Sequence, residues 1–324
     1  MKAFQFAGVS KGLQLHDVPI PKPGEGEVLV QVRATGLCHT DCNVISGKDN
    51  ILVSKLPVTL GHEIAGVIVE LGTGVTEFSI NDRVVSGIAI KHPVTLEEIL
   101  TTAGLGYDGG YGEYVVIKAE KTVRIPDGVT FAQAAVATDA VATAYHAVVV
   151  EGQVSSSSTV GIIGLGGLGL SAVQIAAYTG AKVYGIDISA KKYVAALQSG
   201  VSKCAKSLDK LAGVQFDVIV DFAGTGTTTA AAVNALQTGG RLVLVGLAAK
   251  ESTINTYELV ARAVSLKGSA GSTVQEVAVV LELIAKGKIH PIVEEIPFAD
   301  IPKGLDRIAK GDTLGRLYAD PTKA

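Results

Sequence analysis

Two of the chain's three cysteines lie in the stretch GLCHTDCNVISG, Gly36 to Gly47, beside His39 and Asp41. A thiol, an imidazole and a carboxylate so closely grouped serve as metal ligands, as a redox pair, or as parts of an ordinary buried turn. Cys38 and Cys42 are four residues apart and share a face if the segment is helical, but two thiolates leave a zinc site two donors short. Better partners stand elsewhere: His62 and Glu63 in the turn GHE, and Asp139 among the small residues of ATDAVATAYHA, at what reads as the mouth of a helix. One thiolate, one imidazole and one carboxylate make a three-ligand zinc site with its fourth position open, as catalysis requires. Spacing alone does not bring together residues spread over about a hundred positions. A buried, inert Cys38 and an Asp139 that caps a helix are the plainer alternatives.

The second constellation is GLGGLG, Gly164 to Gly169, which follows an apolar burst and opens a helical segment. That context turns a weak glycine pattern into a dinucleotide-binding turn. Gly164 permits the tight turn, Gly166 lets backbone approach a pyrophosphate, and Gly169 lets helix and strand pack closely; Gly167 and Leu168 complete the turn. The next burst, KVYGID, ends in Asp187, a carboxylate suited to the adenosine ribose hydroxyls. It favours NAD over NADP by repelling a 2′-phosphate, although Lys191 and Lys192 stand close enough to temper that. Capping the following helix is the other use for Asp187.

Two kinds of unit must position these residues. GEVLVQVRATG alternates, and IAGVIVELG and DRVVSG add β-branched runs broken by glycine, which predicts an antiparallel, barrel-like unit. From Thr159, short apolar bursts (TVGIIG, AKVYGID, FDVIVDFAG, RLVLVG) alternate with helical segments, which predicts a parallel sheet covered on both faces. A helix from about Ile301 to Lys310 and a strand at GRLYA close the chain and return to the first unit. The expected division is 1–148 for the barrel, 149–286 for the nucleotide unit and 287–324 for the return, with SSSS at Ser155 to Ser158 as a surface loop.

Composition sets the limits. With 324 residues, 48% of them hydrophobic, two domains are the natural expectation. A net charge of -3 without blocks of like charge argues against a nucleic-acid or anionic-membrane partner. Three cysteines cannot build a disulfide framework, and the opening MKAFQFAGVS lacks the features of a secretion signal, so a soluble, cytoplasmic protein is expected. The longest apolar stretch, Ala132 to Val150, is interrupted by Asp139 and His146, unlike a membrane span.

Taken in order, GLCHTD, LGHEIAGVIVELG, DRV, GLGYDGGYGEY, TDAVATAYHA and GLGGLGLSAVQIA resemble the zinc-dependent alcohol dehydrogenases of the medium-chain dehydrogenase/reductase family. The likeness is strongest to yeast-type secondary alcohol dehydrogenases, or carbonyl reductases, which have aspartate where classical members place a second cysteine ligand. The resemblance implies a GroES-like antiparallel β-barrel catalytic domain joined to a Rossmann doubly wound parallel sheet, an α/β protein overall. It implies catalytic zinc on Cys38, His62 and Asp139, with Glu63 beside the metal and Asp41 on the outer nitrogen of His62. Thr40 then touches the substrate oxygen, His39 lies near the cofactor pyrophosphate and Thr143 near the nicotinamide. Lys192 meets the adenosine ribose and Arg316 the pyrophosphate, each of the last four residues having a plain surface role as the alternative. Cys42 reads as core packing.

Two departures stand out. Asn43 occupies the position where many members carry a proton-relaying histidine, and asparagine is no base. Between Val84 and Gly104 the family inserts a lobe whose four cysteines hold a structural zinc; VVSGIAIKHPVTLEEILTTAG has none, and TLEEILTTA reads as a short helix capped by Thr95. One catalytic zinc, no structural zinc and a homo-oligomer, dimer or tetramer, are therefore expected. The expected reaction is reversible hydride transfer between NAD(H) and a secondary alcohol or ketone, a primary alcohol or aldehyde being a further possibility, in a cleft between barrel and sheet. The competing readings are a zinc-independent enone or quinone reductase, a non-redox biosynthetic enzyme on the same scaffold, and a catalytically silent NAD-binding protein.

Overall fold

The computed structural model describes residues 1–48 and 50–323. The chain divides into two compact units: Met1–Ala142 with Gly271–Gly287 and Pro291–Ala324, and Thr143–Ala270 with Lys288–His290. Among the described residues, no helix is long and apolar enough to cross a membrane.

In the first unit, β1 (Lys2–Phe6) pairs antiparallel with β2 (Leu13–Asp17). The alternating stretch becomes β3 (Glu27–Gly36), the longest strand. Val28, Val30, Val32 and Ala34 go inward, each burial being worth about 1.5–3 kcal/mol for the valines. The helix α1 (His39–Ile45) follows β3 almost at once, and β4 (Val58–Thr59) joins β1. One flank of β3 takes β5 (Glu63–Leu71) antiparallel along its length, and the other takes β7 (Tyr114–Lys118) at its start. β6 (Arg83–Ser86) and β8 (Thr122–Arg124) continue the sheet beyond β5. Val28, Val30, Val32, Ile64, Ile68, Val84, Val115 and Ile117 close one core.

The segment expected to be a short helix is α2 (Leu96–Leu100), and Thr95 accepts the Glu98 N–H at 3.3 Å. Its last carbonyls meet a buried cation. Lys121, only 2% exposed, donates from Nζ to the carbonyls of Ile88 at 2.6 Å and Glu98 at 2.8 Å and to Thr101 Oγ1 at 2.8 Å. The Glu98 carboxylate lies 3.3 Å away. An ammonium so held does for this segment what a cap does for a helix end, with charge added. Next comes α3 (Phe131–Val136), opened by a Thr130–Gln133 capping box.

The chain enters the second unit through α4 (Ala142–Tyr145). A six-stranded parallel sheet follows, built from β9 (Thr159–Ile163), β10 (Lys182–Ile186), β11 (Val201–Ala205), β12 (Phe216–Asp221), β13 (Leu236–Leu244) and β14 (Ser265–Gly268). Their spatial order β11-β10-β9-β12-β13-β14 is the doubly wound order of dinucleotide-binding sheets. The helices α5 (Gly167–Tyr178), α6 (Tyr193–Gln198), α7 (Thr227–Ala235) and α8 (Thr256–Ala261) connect the strands. The apolar bursts became the inner strands. The outer strands β11 and β14 carry exposed, polar residues and left no apolar run to read.

The return begins earlier than expected, at Gly271, because α9 (Val274–Ala285) packs on β8 and on residues 137–141 of the first unit. Likewise, the second unit starts at Thr143 and not at 149. β15 (Val293–Ile296), α10 (Ile301–Ala309) and β16 (Arg316–Ala319) complete the first unit. β15 and β16 pair parallel, an exception in an otherwise antiparallel sheet, and β16 pairs antiparallel with the end of β3.

Replacing Lys121 by methionine keeps the apolar stem but removes the charged donor to the Ile88 and Glu98 carbonyls, which retain only the Thr101 and Thr102 donors, and leaves the Glu98 carboxylate without its ion pair. A loss of about 1–3 kcal/mol is expected by denaturant titration, and an unchanged midpoint would show that the ammonium does not hold this segment.

Candidate active site

Three pieces of the first unit converge. Cys38 is the residue before α1, fixed there because the Asp41 carboxylate accepts its N–H at 3.1 Å. His62 stands at the entry to β5 after Gly61, whose φ of +90° makes the turn. Asp139 lies in a π turn, Ala137–Val141, that continues α3. The sequence placed this aspartate at a helix mouth; it sits within a helical run instead, where the widened turn redirects a side chain. All three side chains are buried.

Cys38 Sγ lies 3.3 Å from Asp139 Oδ2, and His62 Nε2 lies 3.8 Å from the same oxygen. One donor atom from each residue falls within 4.8 Å of the others. Tetrahedral zinc at ordinary Zn–S, Zn–N and Zn–O lengths sets its ligands about 3.3–3.7 Å apart. The donor set therefore fits one zinc ion in both chemistry and spacing.

Two further groups close around it. Asp41 Oδ1 faces His62 Nδ1 at 3.5 Å. Burial opposes a charge on His62, yet Asp41 and Cys38 raise its pKa well above the usual value. Glu63 is fully buried, and burial pushes its carboxyl up to about 7 while the Arg316 guanidinium pulls it back. Arg316 donates to Glu63 Oε1 from Nε at 2.9 Å and from Nη2 at 2.6 Å. The same Nη2 reaches Asp139 Oδ2 at 3.0 Å and Cys38 Sγ at 3.2 Å. Arg316 was expected on the cofactor pyrophosphate; the structure commits its guanidinium to these anionic side chains, and the pairing of β16 with β3 puts it there. GRLY gave no sign of this, since the partners come from β5 and the π turn.

Around this cluster, the Thr40 hydroxyl lies 3.5 Å from Cys38 Sγ. His39, exposed at the start of α1, has its pKa lowered by partial desolvation and by the charges of Lys48 and Arg316. Cys42 turns away: its thiol approaches the Leu305 carbonyl at 3.4 Å beside the core of Leu37, Val44, Ile301 and Leu305. Burial first, then Asp41 and Cys38, push that thiol up to about 12, in keeping with a packed core thiol. Tyr111, which the sequence reading did not single out, donates to Asp41 Oδ2 at 2.7 Å.

In the second unit, the glycine turn has the form its spacing predicted. Gly164 has φ of +88°, and a Cβ on Gly169 would meet the Gly164 carbonyl at 1.7 Å. A Cβ on Gly166 would meet nothing within 4 Å. Gly166 precedes α5, with Gly167 and Leu168 in its first turn, where the partial positive charge of a helix start favours an anion. Asp187 is buried and accepts from Leu165 N–H at 2.8 Å and Ser189 N–H at 2.8 Å, with Lys192 Nζ at 3.2 Å. Thr143, in α4, is buried at the start of this unit.

Residues 24–127 match the alcohol dehydrogenase GroES-like domain, and residues 167–286 match the zinc-binding dehydrogenase domain. An alcohol dehydrogenase of Geobacillus stearothermophilus is 35% identical over 98% of both chains. The chain belongs to the zinc-binding alcohol dehydrogenase family. An NAD-dependent alcohol dehydrogenase of Sulfurisphaera tokodaii is 29% identical across 99% of this chain and 100% of that one. Among solved structures, acetophenone reductase from Geotrichum candidum, in complex with NAD, is 33% identical with a TM-score of 0.90, over 100% of this chain and 98% of that one. The family's GroES-like and Rossmann units are the two units described above, and its metal donors would come from the first.

Gly36, opposite Glu63 on β3, is required for space: a Cβ there would lie 1.9 Å from Glu63 Oε2 and 2.9 Å from its Cβ. Gly36→Ala should displace Glu63 from Arg316 and cost about 1–3 kcal/mol in thermal or denaturant unfolding; wild-type stability would show that the cluster tolerates the displacement.

Proposed function

We propose that the protein is an NAD-dependent, zinc-containing alcohol dehydrogenase that interconverts secondary alcohols and ketones, with primary alcohols and aldehydes as lesser substrates. The observation that carries the reading is the convergence of the Cys38 sulfur on the Asp139 carboxylate, 3.3 Å apart, with His62 beside them. When bound, Zn²⁺ polarises a carbonyl oxygen or acidifies an alcohol, and nicotinamide carries the hydride. A family likeness without these donors would favour the zinc-independent reductase.

Cys38, His62 and Asp139 would hold one metal, and a thiolate with a carboxylate would balance its two charges. The harder oxygen donor would leave a bound metal more electrophilic than a second thiolate would. Asp41 keeps His62 in the tautomer that offers Nε2. Thr40, 3.5 Å from the Cys38 sulfur, supplies and takes the proton at the substrate oxygen. Asn43 has no base with which to pass that proton on, so its release would need another acceptor or be slower. Glu63, held by Arg316, is the nearby carboxylate in reserve.

For the cofactor, the turn Gly164, Gly166, Gly167, Leu168 and Gly169 receives the pyrophosphate, and Asp187 with Lys192 receives the adenosine ribose. The family resemblance adds His39 near the pyrophosphate and Thr143 near the nicotinamide. The likeness to acetophenone reductase supports ketones as substrates. A homo-oligomer, dimer or tetramer, is supported by β14, a sheet-edge strand exposed along its length, and by the exposed Tyr257 and Val260 of α8. Free Cys38, Cys42 and Cys204 suit the reducing cytoplasm.

Metal analysis of the purified protein should find about one zinc per chain. Cys38→Ala should lose it, with ketone turnover falling about 1,000-fold or more, the several kcal/mol a metal electrophile supplies. Full ketone reduction by zinc-free protein would refute the metal role. Asp187→Ala should lower kcat/KM for NADH by about 10–100-fold, as expected for a lost hydrogen bond to a charged group, and relax the preference over NADPH; an unchanged NADH to NADPH ratio would remove Asp187 from the ribose site.

A further inference from the structure

Tyr111 is fully buried, and a buried tyrosine needs a partner for its hydroxyl. That hydroxyl donates to Asp41 Oδ2 at 2.7 Å, the oxygen that also takes the Cys38 N–H at 3.1 Å. With Oδ2 doubly engaged, Oδ1 is the oxygen turned to His62 Nδ1, 3.5 Å away.

The ring of Tyr111 is fixed to the turn that carries His62. The Tyr111 N–H donates to the Leu60 carbonyl at 2.9 Å, and the Gly110 N–H to the Gly61 carbonyl at 2.7 Å. The ring lies against Gly61 so closely that a Cβ there would stand 2.4 Å from its Cδ1. One tyrosine thus holds two segments: its backbone and ring grip Leu60 and Gly61, and its hydroxyl grips α1 through Asp41. Burial, with Asp41 beside it, raises the hydroxyl pKa well above the usual tyrosine value, so it remains a donor at any working pH.

We infer that Tyr111 is a positioning residue: by locking the Asp41 carboxylate it orients the His62 ring and so sets how tightly Cys38, His62 and Asp139 retain their metal. This rests on the zinc reading of those three residues. Groups one step removed from the ligands change metal affinity by about 10–100-fold when altered, because a free carboxylate lets the ligand imidazole rotate. Tyr111 stands one step further out, which places its effect at the low end of that range.

The test uses full-length wild-type protein, Tyr111→Phe and Asp41→Asn. Zinc release to a chromophoric chelator and the visible spectrum of the Co²⁺-substituted protein are measured beside the thermal midpoint. Phenylalanine keeps the packing on Gly61, so Tyr111→Phe should release zinc about ten-fold faster and shift the cobalt bands, and it should add little when Asp41→Asn is already present. Release within two-fold of wild type, with Asp41→Asn much faster, would overturn the positioning role and leave the metal reading standing. Wild-type protein that takes up neither zinc nor cobalt would overturn the metal reading itself. Should Tyr111→Phe not fold, the downfield hydroxyl proton of Tyr111 in wild-type protein should move on zinc addition, and a stationary resonance would overturn the proposal.

Discussion

Everything in the first unit answers to one electrostatic problem: three carboxylates, Asp41, Glu63 and Asp139, and the sulfur of Cys38 are buried within reach of one another. A buried charge left unpaired costs several kcal/mol, and like charges in one pocket add to that. The arrangement persists only with cations inside it. Arg316 is one, and its guanidinium spans Glu63, Asp139 and Cys38 at once. A divalent metal on Cys38, His62 and Asp139 would be the other, and the mixed thiolate, imidazole and carboxylate donors suit zinc. Glycine at position 36 and the turn at Gly61 are steric conditions of the same packing, one admitting Glu63 and the other Tyr111.

The second unit has a different constraint, the tight turn between β9 and the start of α5. Its solution is geometric. Gly164 takes a left-handed conformation, Gly169 lets α5 approach β9, and Gly166 leaves open space over the first turn of the helix. Asp187 ties this turn to the end of β10 by accepting N–H groups from both sides. In the first unit, the short helix α2, Leu96–Leu100, ends on the buried ammonium of Lys121.

Most of the fold was legible because its signals are local. Alternation in GEVLVQVRATG marked β3, apolar bursts marked the inner strands of the parallel sheet, and GLGGLG stated its own turn. Edge strands β11 and β14 were not legible: β11 buries only its two ends and β14 is exposed along its length, so neither carries a continuous apolar run. Nor was the place of α9, whose amphipathic sequence says that it packs but not on which unit.

For the site, the sequence by itself supplied the donor types and the glycine turn: a thiol, an imidazole and a carboxylate suit zinc only where they converge. Tertiary structure alone decided that they meet, that Arg316 turns inward to Glu63, and that Tyr111 supports Asp41. The reason is physical. These contacts join β3, β5, a π turn and β16, segments up to 278 residues apart, and a pairing made by sheet register across that separation leaves no periodicity or spacing in the chain from which to read it.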